Sequence, residues 1–282
     1  MNHKVLCYGE MLWDLFPDVA VLGGAPMNVD IGLKKLGADV SMLSSCGYDM
    51  LGENLLEYPS ANGLSARLVQ QNNYPTGVVN VYLSENNDAS YNIVFPSAWD
   101  YIQKPKVHPE LDALVYGSLS CRNKTSFDTL ITILNNKALK VFDVNFRPPY
   151  VDKTTVEQLL QKADIVKMNQ DELFQISKWN GVDLNDLEVA TEFVFQKYAV
   201  NVLCLILGSE GAYVRTTQEE FVQNGFEVKT IDTVGAGDAF LAGFIYNYLQ
   251  NKPLQKTLEF ACRLGVYVAS QKGPILLFRK QN

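Results

Sequence analysis

The feature that most restricts this chain is an alternation. Six short, largely apolar runs recur along it: VLCYG (5–9), VSMLSSC (40–46), ALVYGS (113–118), LKVFDV (139–144), DIVKMN (164–169) and VLCLIL (202–207). Continuous apolarity suits strands buried on both faces of a parallel sheet. Between the runs lie stretches with helical spacing. In 24–36, Val29, Leu33 and Leu36 fall at i, i+4 and i+7, and Gly37 is placed to end a helix. In 254–269, Leu254, Leu258, Ala261, Cys262, Gly265 and Ala269 form one stripe. The pattern predicts βαβ units and a doubly wound, mostly parallel α/β sheet with helices on both faces. One region departs from it. TGVVNVYLSENNDASYNIVF (76–95) carries two alternating runs, Val79/Val81/Leu83 and Tyr91/Ile93/Phe95, around Asn86, Asn87 and Asp88, which predicts a hairpin.

Composition narrows the function classes. With 282 residues the chain can bury a large core. A net charge of −7 argues against nucleic acid as a partner, because phosphate backbones reward clustered Lys and Arg. The five cysteines, Cys7, Cys46, Cys121, Cys204 and Cys262, lie far apart with no CxxC pair, as expected of reduced, buried thiols in a cytoplasmic protein. The N-terminal apolar run is closed at Glu10, too short for a signal peptide, and no run approaches the ~20 residues of a bilayer span. Only two histidines are present, His3 and His108, so carboxylates are the main candidates for acid/base chemistry.

Two glycine-rich helix starts carry that chemistry. In DTVGAGDAF (232–240), Gly235, Ala236 and Gly237 precede an apolar helix-compatible run, so backbone N–H groups and the helix dipole can hold an anion. No GxxxxGK[ST] is present, and the GxGxxG pattern fails at Phe240, which counts against a nicotinamide-dependent dehydrogenase. Asp238 reads either as a first-turn acid stabilised by the dipole or as a general base beside the anion hole. GGAPMN (23–28) is the second start, with Gly23 and Gly24 for the turn, Pro26 near the first turn and Asn28 able to meet sugar hydroxyls. Asp14, after the first strand, stands where parallel sheets bind ligands.

These residues resemble the ribokinase-like (PfkB-type) carbohydrate kinases. One signature runs from Gly23-Gly24 through Asn28 to Gly37 and Gly47, departing at Asp30, where the family usually has a small residue. The second, DTVGAGDAFLAGF, fits from Asp232 to Phe244. GYDMLG (47–52), DVNFR (143–147) and NQDE (169–172) match further family stretches, so the likeness spans the chain. The resemblance implies a single kinase domain over 1–282, with a small β lid from about 11–22 and 75–98. It implies Asp238 as catalytic base, Gly235, Ala236 and Gly237 as anion hole, and Asp14, Gly23, Gly24 and Asn28 on the sugar. Asn145, Arg147, Asn169, Gly208 and Gly211 are then expected toward ATP, with Asn169 and Glu172 organising Mg²⁺ partly through water. Ile206 replaces a usual threonine before the LGSEG loop, so a hydroxyl contact to the nucleotide is expected to be missing. A K⁺ site near Asp232 and a homodimer through the lid are further family habits.

GGAPxN with GExLWD (9–14), and AWD (98–100), resemble fructokinases, which implies ATP-dependent conversion of D-fructose to fructose 6-phosphate. Ribose, 2-keto-3-deoxygluconate or a nucleoside are the alternative acceptors. A non-catalytic sugar-binding regulator is the alternative of another class.

Overall fold

The apolar runs all become strands of one sheet, in a computed structural model that describes residues 3–61, 63–83, 89–106, 110–182, 186–271 and 273. The strands are β1 (Lys4–Tyr8), β2 (Leu12–Leu15), β3 (Ala20–Gly23), β4 (Asp39–Gly47), β5 (Val69–Asn72), β6 (Gly77–Leu83), β7 (Ala89–Ile93), β8 (Ala113–Gly117), β9 (Leu139–Asp143), β10 (Ile165–Asn169), β11 (Val202–Ile206), β12 (Gly211–Thr216) and β13 (Glu220–Asn224). The helices are α1 (Ala25–Lys35), α2 (Met50–Ala61), α3 (Lys124–Ile133), α4 (Lys153–Leu160), α5 (Gln170–Trp179), α6 (Leu187–Tyr198), α7 (Ala236–Leu249) and α8 (Leu254–Ala269).

Nine strands form the main sheet in the order β13-β12-β11-β10-β9-β8-β1-β4-β5. Every pairing from β11 to β5 is parallel; β12 and β13 add an antiparallel edge. The period-2 alternation of each strand divides its residues between two cores. Leu6, Tyr8, Leu114, Tyr116, Phe142, Val166 and Leu203 face α3 to α6, while Val5, Cys7, Val115, Val141, Ile165 and Cys204 face α1, α7 and α8. Burial of both faces explains why these strands lack a polar side.

The helix ends follow local chemistry. α1 closes with Gly37 at φ 96°, the Gly37 N–H donating to Lys34 and the Ala38 N–H to Leu33, a Schellman arrangement that satisfies the last carbonyls. α7 begins at Ala236, four residues before the apolar run, because Gly235 takes up φ 78° and turns the chain into the helix.

A second sheet, β3-β2-β6-β7, is built from two separate segments. Val79 pairs with Ile93 and Val81 with Tyr91, the register that the alternation of 76–95 calls for; the turn residues Asn86, Asn87 and Asp88, like His108, lie outside the described residues. β2 pairs with β3 and β6, which fixes Asp14 opposite Val21 and Val79. The main sheet reverses direction of growth at β1 and β8: the chain moves outward to β4 and β5, then returns to the other side of β1. Such a switch point opens a crevice at the carboxyl ends of the strands, and the candidate residues gather there.

Candidate active site

The two glycine-rich helix starts meet. Asn28 Nδ2 in α1 donates a 2.8 Å hydrogen bond to Asp238 Oδ2 in α7, across 210 positions of chain. Both side chains are buried, and Asn28 Oδ1 has no partner among the described residues. The N-terminus of α7 has no side-chain cap; the Ala236 N–H donates to the Thr233 carbonyl at 3.2 Å, and a helix start of this kind favours an anion. At the other start, a Cβ on Gly23 would run into the Asp14 carboxyl, and one on Gly24 (φ 105°) into the carbonyl of Glu10. The absence of side chains there lets Asp14 and Glu10 stand against the start of α1.

Charge is concentrated around this meeting point. Burial raises the pKa of Asp238; Lys167 opposes this, Asp143 adds to it, and Asn28 and Arg147 lower it again. Burial lifts Asp14 to about 6 against the pull of Arg147, and it lifts Glu10 to about 7. Arg147 therefore lies within electrostatic reach of all three carboxyls. Beneath α7, the buried Lys167 ammonium binds Asp143 Oδ1 at 2.9 Å, and a Cβ on Gly237 would lie only 3.1 Å from Lys167 Nζ. Burial pulls the Lys167 pKa down, but Asp143, Glu172 and Asp238 outweigh it and hold the group charged.

Asn169 and Glu172 form a capping box at the start of α5: Glu172 N–H donates to Asn169 Oδ1 at 2.9 Å and Asn169 N–H to Glu172 Oε2 at 2.8 Å. The other Glu172 oxygen accepts the Phe146 N–H at 2.8 Å, reached because Asn145 takes a left-handed φ of 42°. The helix-start and functional readings of this pair are thus compatible. Each carboxylate oxygen keeps a lone pair, and Asp143 Oδ2 nearby is buried without a partner among the described residues. Among the described residues no three His, Cys, Asp or Glu form a metal cage. An oxygen set of this kind fits Mg²⁺ whose remaining ligands are water and phosphate oxygens.

On the opposite side of the α7 N-terminus is a cavity of about 480 Å³. Gly208 and Gly211, at φ 61° and 108°, turn the chain at its rim, and Phe226, Phe240, Cys262 and Val266 form apolar walls. Ala236 and Gly237 line it too, so the cavity opens onto the N-terminus of α7. Its size is that of a small-molecule site. Ile206 lies in the wall where a threonine was the family expectation. Asp232 lies in the segment between β13 and α7, its carboxylate accepting the Val234 and Gly273 N–H groups.

Comparison with known proteins agrees with this geometry. The family model for pfkB family carbohydrate kinases matches residues 2–281. The chain belongs to that family. It is 27% identical to a fructokinase of Escherichia coli over 97% of this chain and 95% of that one. It is 26% identical to an ATP-dependent 6-phosphofructokinase of Thermoanaerobacterium thermosaccharolyticum over 98% and 90% of the two chains. A crystal structure of fructokinase from Vibrio cholerae O395 in its fructose, ADP and calcium ion bound form superposes with a TM-score of 0.86 at 22% identity, covering 97% of this chain and 95% of that one. The fold is therefore ribokinase-like, and this pfkB kinase is a sugar kinase, a phosphotransferase with an alcohol group as acceptor.

Within the kinase, the crevice gathers Asp14, Gly23, Gly24, Asn28, Arg147 and Asp238 on one side of the α7 turn and Gly208 and Gly211 on the other. Sequence reasoning passed over Lys167, Asp143 and Glu10 as site residues. A lone lysine inside the apolar run IVKMN was the available signal for Lys167, since an ammonium in a two-face-buried strand needs a carboxylate partner. Glu10 was read as the residue closing the first apolar run and as part of the GExLWD stretch, without a site role of its own.

Proposed function

We propose that this kinase transfers the γ-phosphate of ATP to the C6 hydroxyl of D-fructose, with Asp238 as general base. The observation that carries the reading is the Asn28–Asp238 hydrogen bond. It holds a buried carboxylate at an uncapped helix N-terminus, between an apolar cavity and a pocket rich in hydrogen-bond acceptors. In this reading Asp238 takes the hydroxyl proton as the oxygen attacks. The N–H groups of Gly235, Ala236 and Gly237 meet the phosphoryl oxygens, where preorganised donors lower the barrier most. Asp14 and Asn28 accept from and donate to the remaining sugar hydroxyls. Mg²⁺, when bound, neutralises phosphate charge; Asn169, Glu172 and Asp143 are the residues that would hold it, partly through water.

The cavity bordered by Gly208 and Gly211 suits the nucleotide, with Asn145 and Arg147 toward its phosphates, and the V. cholerae relative carries ADP, fructose and calcium in its own structure. A K⁺ ion beside Asp232 would follow from the same likeness. The small sheet over the crevice is read as a lid inserted in one kinase domain, which would exclude water competing for the phosphoryl group. Its exposed Tyr82 and Tyr91, with Val19 in the β2–β3 turn, suit a homodimer contact that light scattering would test.

A neutral sugar is favoured over a phosphorylated one. Glu10, Asp14 and Asp238 crowd the acceptor pocket, and a sugar phosphate would bring a dianion among three carboxyl groups. Assay of ADP release over a panel of fructose, ribose, 2-keto-3-deoxygluconate, nucleosides and fructose 6-phosphate tests the reading. Turnover on fructose is expected to dominate. Turnover on ribose with none on fructose would overturn it.

A further inference from the structure

Two buried side chains beside the acceptor pocket hold unused hydrogen-bonding atoms of opposite kind. Glu10 is 2% exposed, and its Oε2 has no partner among the described residues. Arg122 lies on the next strand's exit. Its Nε and Nη2 grip the two Asp100 oxygens at 2.7 and 2.8 Å, Nη2 also donates to the Val94 carbonyl at 2.7 Å, and the buried Nη1 is left without a partner among the described residues. The guanidinium cannot swing to find one. It is fixed 3.9 Å over the Trp99 ring, with Tyr150 at 4.4 Å and Phe95 at 5.0 Å. β1 pairs with β8 through Tyr8 and Tyr116, so Glu10 and the short turn (119–121) that leads to Arg122 both follow the carboxyl ends of neighbouring strands at the switch point. Ser120, in that turn and beside Gly9, also has a buried hydroxyl with no partner among the described residues. The charge of Glu10 is felt together with those of Arg122, Arg147 and Asp238, which places it with the reacting groups.

Buried polar atoms without partners are few in folded proteins and mark an expected ligand or water. An acceptor and a rigid donor together match a hydroxyl, which can give its proton to one and receive a hydrogen bond from the other. A hydrogen or methyl in its place satisfies neither atom. We propose that Glu10 and Arg122 read the acceptor hydroxyls other than the one that attacks, Glu10 accepting and Arg122 Nη1 donating. They are specificity residues for the sugar. This rests on the sugar-kinase reading of the site.

The test compares D-fructose with its monodeoxy analogues in the parent protein and in Glu10→Leu, by kcat/KM and by the sugar-induced rise in Tm without nucleotide. The parent should lose at least about 10²-fold in kcat/KM on one analogue, because a site built to bond a hydroxyl rejects its absence strongly. Glu10→Leu should lose as much on fructose, while that same analogue costs it nothing more. Arg122 also neutralises buried Asp100, so it is replaced together with it, as Arg122→Met/Asp100→Asn. That protein should show a raised KM and a smaller Tm rise with sugar, with kcat less affected. If Glu10→Leu discriminates among the analogues as the parent does, or loses equally on all of them, the two residues are structural or hold a trapped water and the proposal falls. If the parent turns over no sugar, the reading on which it rests falls as well, and the two failures are told apart by the parent's activity alone.

Discussion

The two sides of the α7 N-terminus are built from opposite materials. On the side proposed for the acceptor stand buried and half-buried carboxyls, two arginines and several polar atoms without partners among the described residues, carried by Glu10, Asp14, Asn28, Arg122, Arg147 and Asp238. On the side proposed for the nucleotide stand Ile206, Phe226, Phe240, Val266 and glycine backbone. A sugar shows little but hydroxyls, so it can be chosen only by polar atoms placed to meet them, and each such atom is costly when unmet. A nucleoside base offers a flat apolar face, and its phosphates can be held by N–H groups that any sequence possesses. In the proposed reading, discrimination therefore resides on the acceptor side, and the nucleotide side supplies shape.

The largest effect should come from Asp238, the residue common to both sides. Asp238→Asn keeps the shape and the Asn28 neighbour but removes the base. The loss in kcat should be about 10²- to 10⁴-fold with KM for both substrates little changed. The parent must have Asp238 ionised to work, and its pKa is raised, chiefly by burial. Activity should accordingly fall on acidification at a pH above the ordinary carboxylate range. Near-normal kcat in Asp238→Asn would break the assignment.

If unmet polarity is useful only where a ligand meets it, a buried carboxyl elsewhere should be a pure cost. Asp30 provides the case. It lies in α1 two residues past Asn28, 1% exposed, with Oδ1 lacking a partner among the described residues. Burial lifts its pKa from 3.8 to about 7, with Lys34 pulling the other way. Below pH 3.8 both folded and unfolded chains hold the proton and nothing is lost. As pH rises toward 7 the unfolded chain gives up its proton first, so the folded state loses stability, fully so above pH 7. Asp30→Ser should therefore gain roughly 4 kcal/mol over the parent at pH 8 and little at pH 4, since a tenfold difference in proton affinity corresponds to about 1.4 kcal/mol. Urea unfolding at the two pH values measures it; an equal difference at both would show that charge is not the cause.

Lys167 sharpens the comparison from below the helix. Replacing it by Gln removes the positive charge nearest Gly237 and strands Asp143. Loss of kcat by about tenfold to a hundredfold is expected, together with reduced stability from the uncompensated buried carboxylate. Lys167 also lowers the pKa of Asp238, so the acid limb of the pH–rate profile should move upward. An unmoved limb with intact kcat would leave Lys167 as a partner of Asp143 alone.

How much of this was legible in the sequence depends on distance along the chain. Six of the main sheet's seven parallel strands were visible because burial on both faces imprints continuous apolarity on five or six neighbouring residues; the edge strand β5, VQQN, lacks that apolarity and was not read. β12 and β13 were missed for the same reason. They are an edge pair, β13 exposed at every second position, so AYVRT and EFVQN alternate instead. Both helix starts were legible from glycine and proline placement, and Asp238 and Asn28 were each singled out. That they touch was not, since a hydrogen bond between residues 210 apart leaves no local pattern. The Arg122–Asp100 fork and the Lys167–Asp143 pair are of this kind too. Local physics writes elements into the sequence; pairing across the sheet's carboxyl edge is decided by topology.

The smallest effect should be at Ile206, where a side chain of the nucleotide wall departs from the family's threonine. Ile206→Thr would restore a hydroxyl at the end of β11, beside the Gly208–Gly211 turn. A new hydrogen bond to a nucleotide at a half-buried position contributes about 0.5–1.5 kcal/mol, and the smaller apolar surface left on the cavity wall offsets part of that. The KM for ATP should fall by no more than about threefold. The KM for the sugar should not change, because Ile206 shares no partner with Glu10, Asp14 or Asn28, and effects at separated sites without shared partners add. Steady-state kinetics with both substrates varied measures the two constants together. If the sugar KM moves with the ATP KM, the α7 turn transmits between its two sides, and choice of sugar cannot be assigned to the acceptor pocket alone.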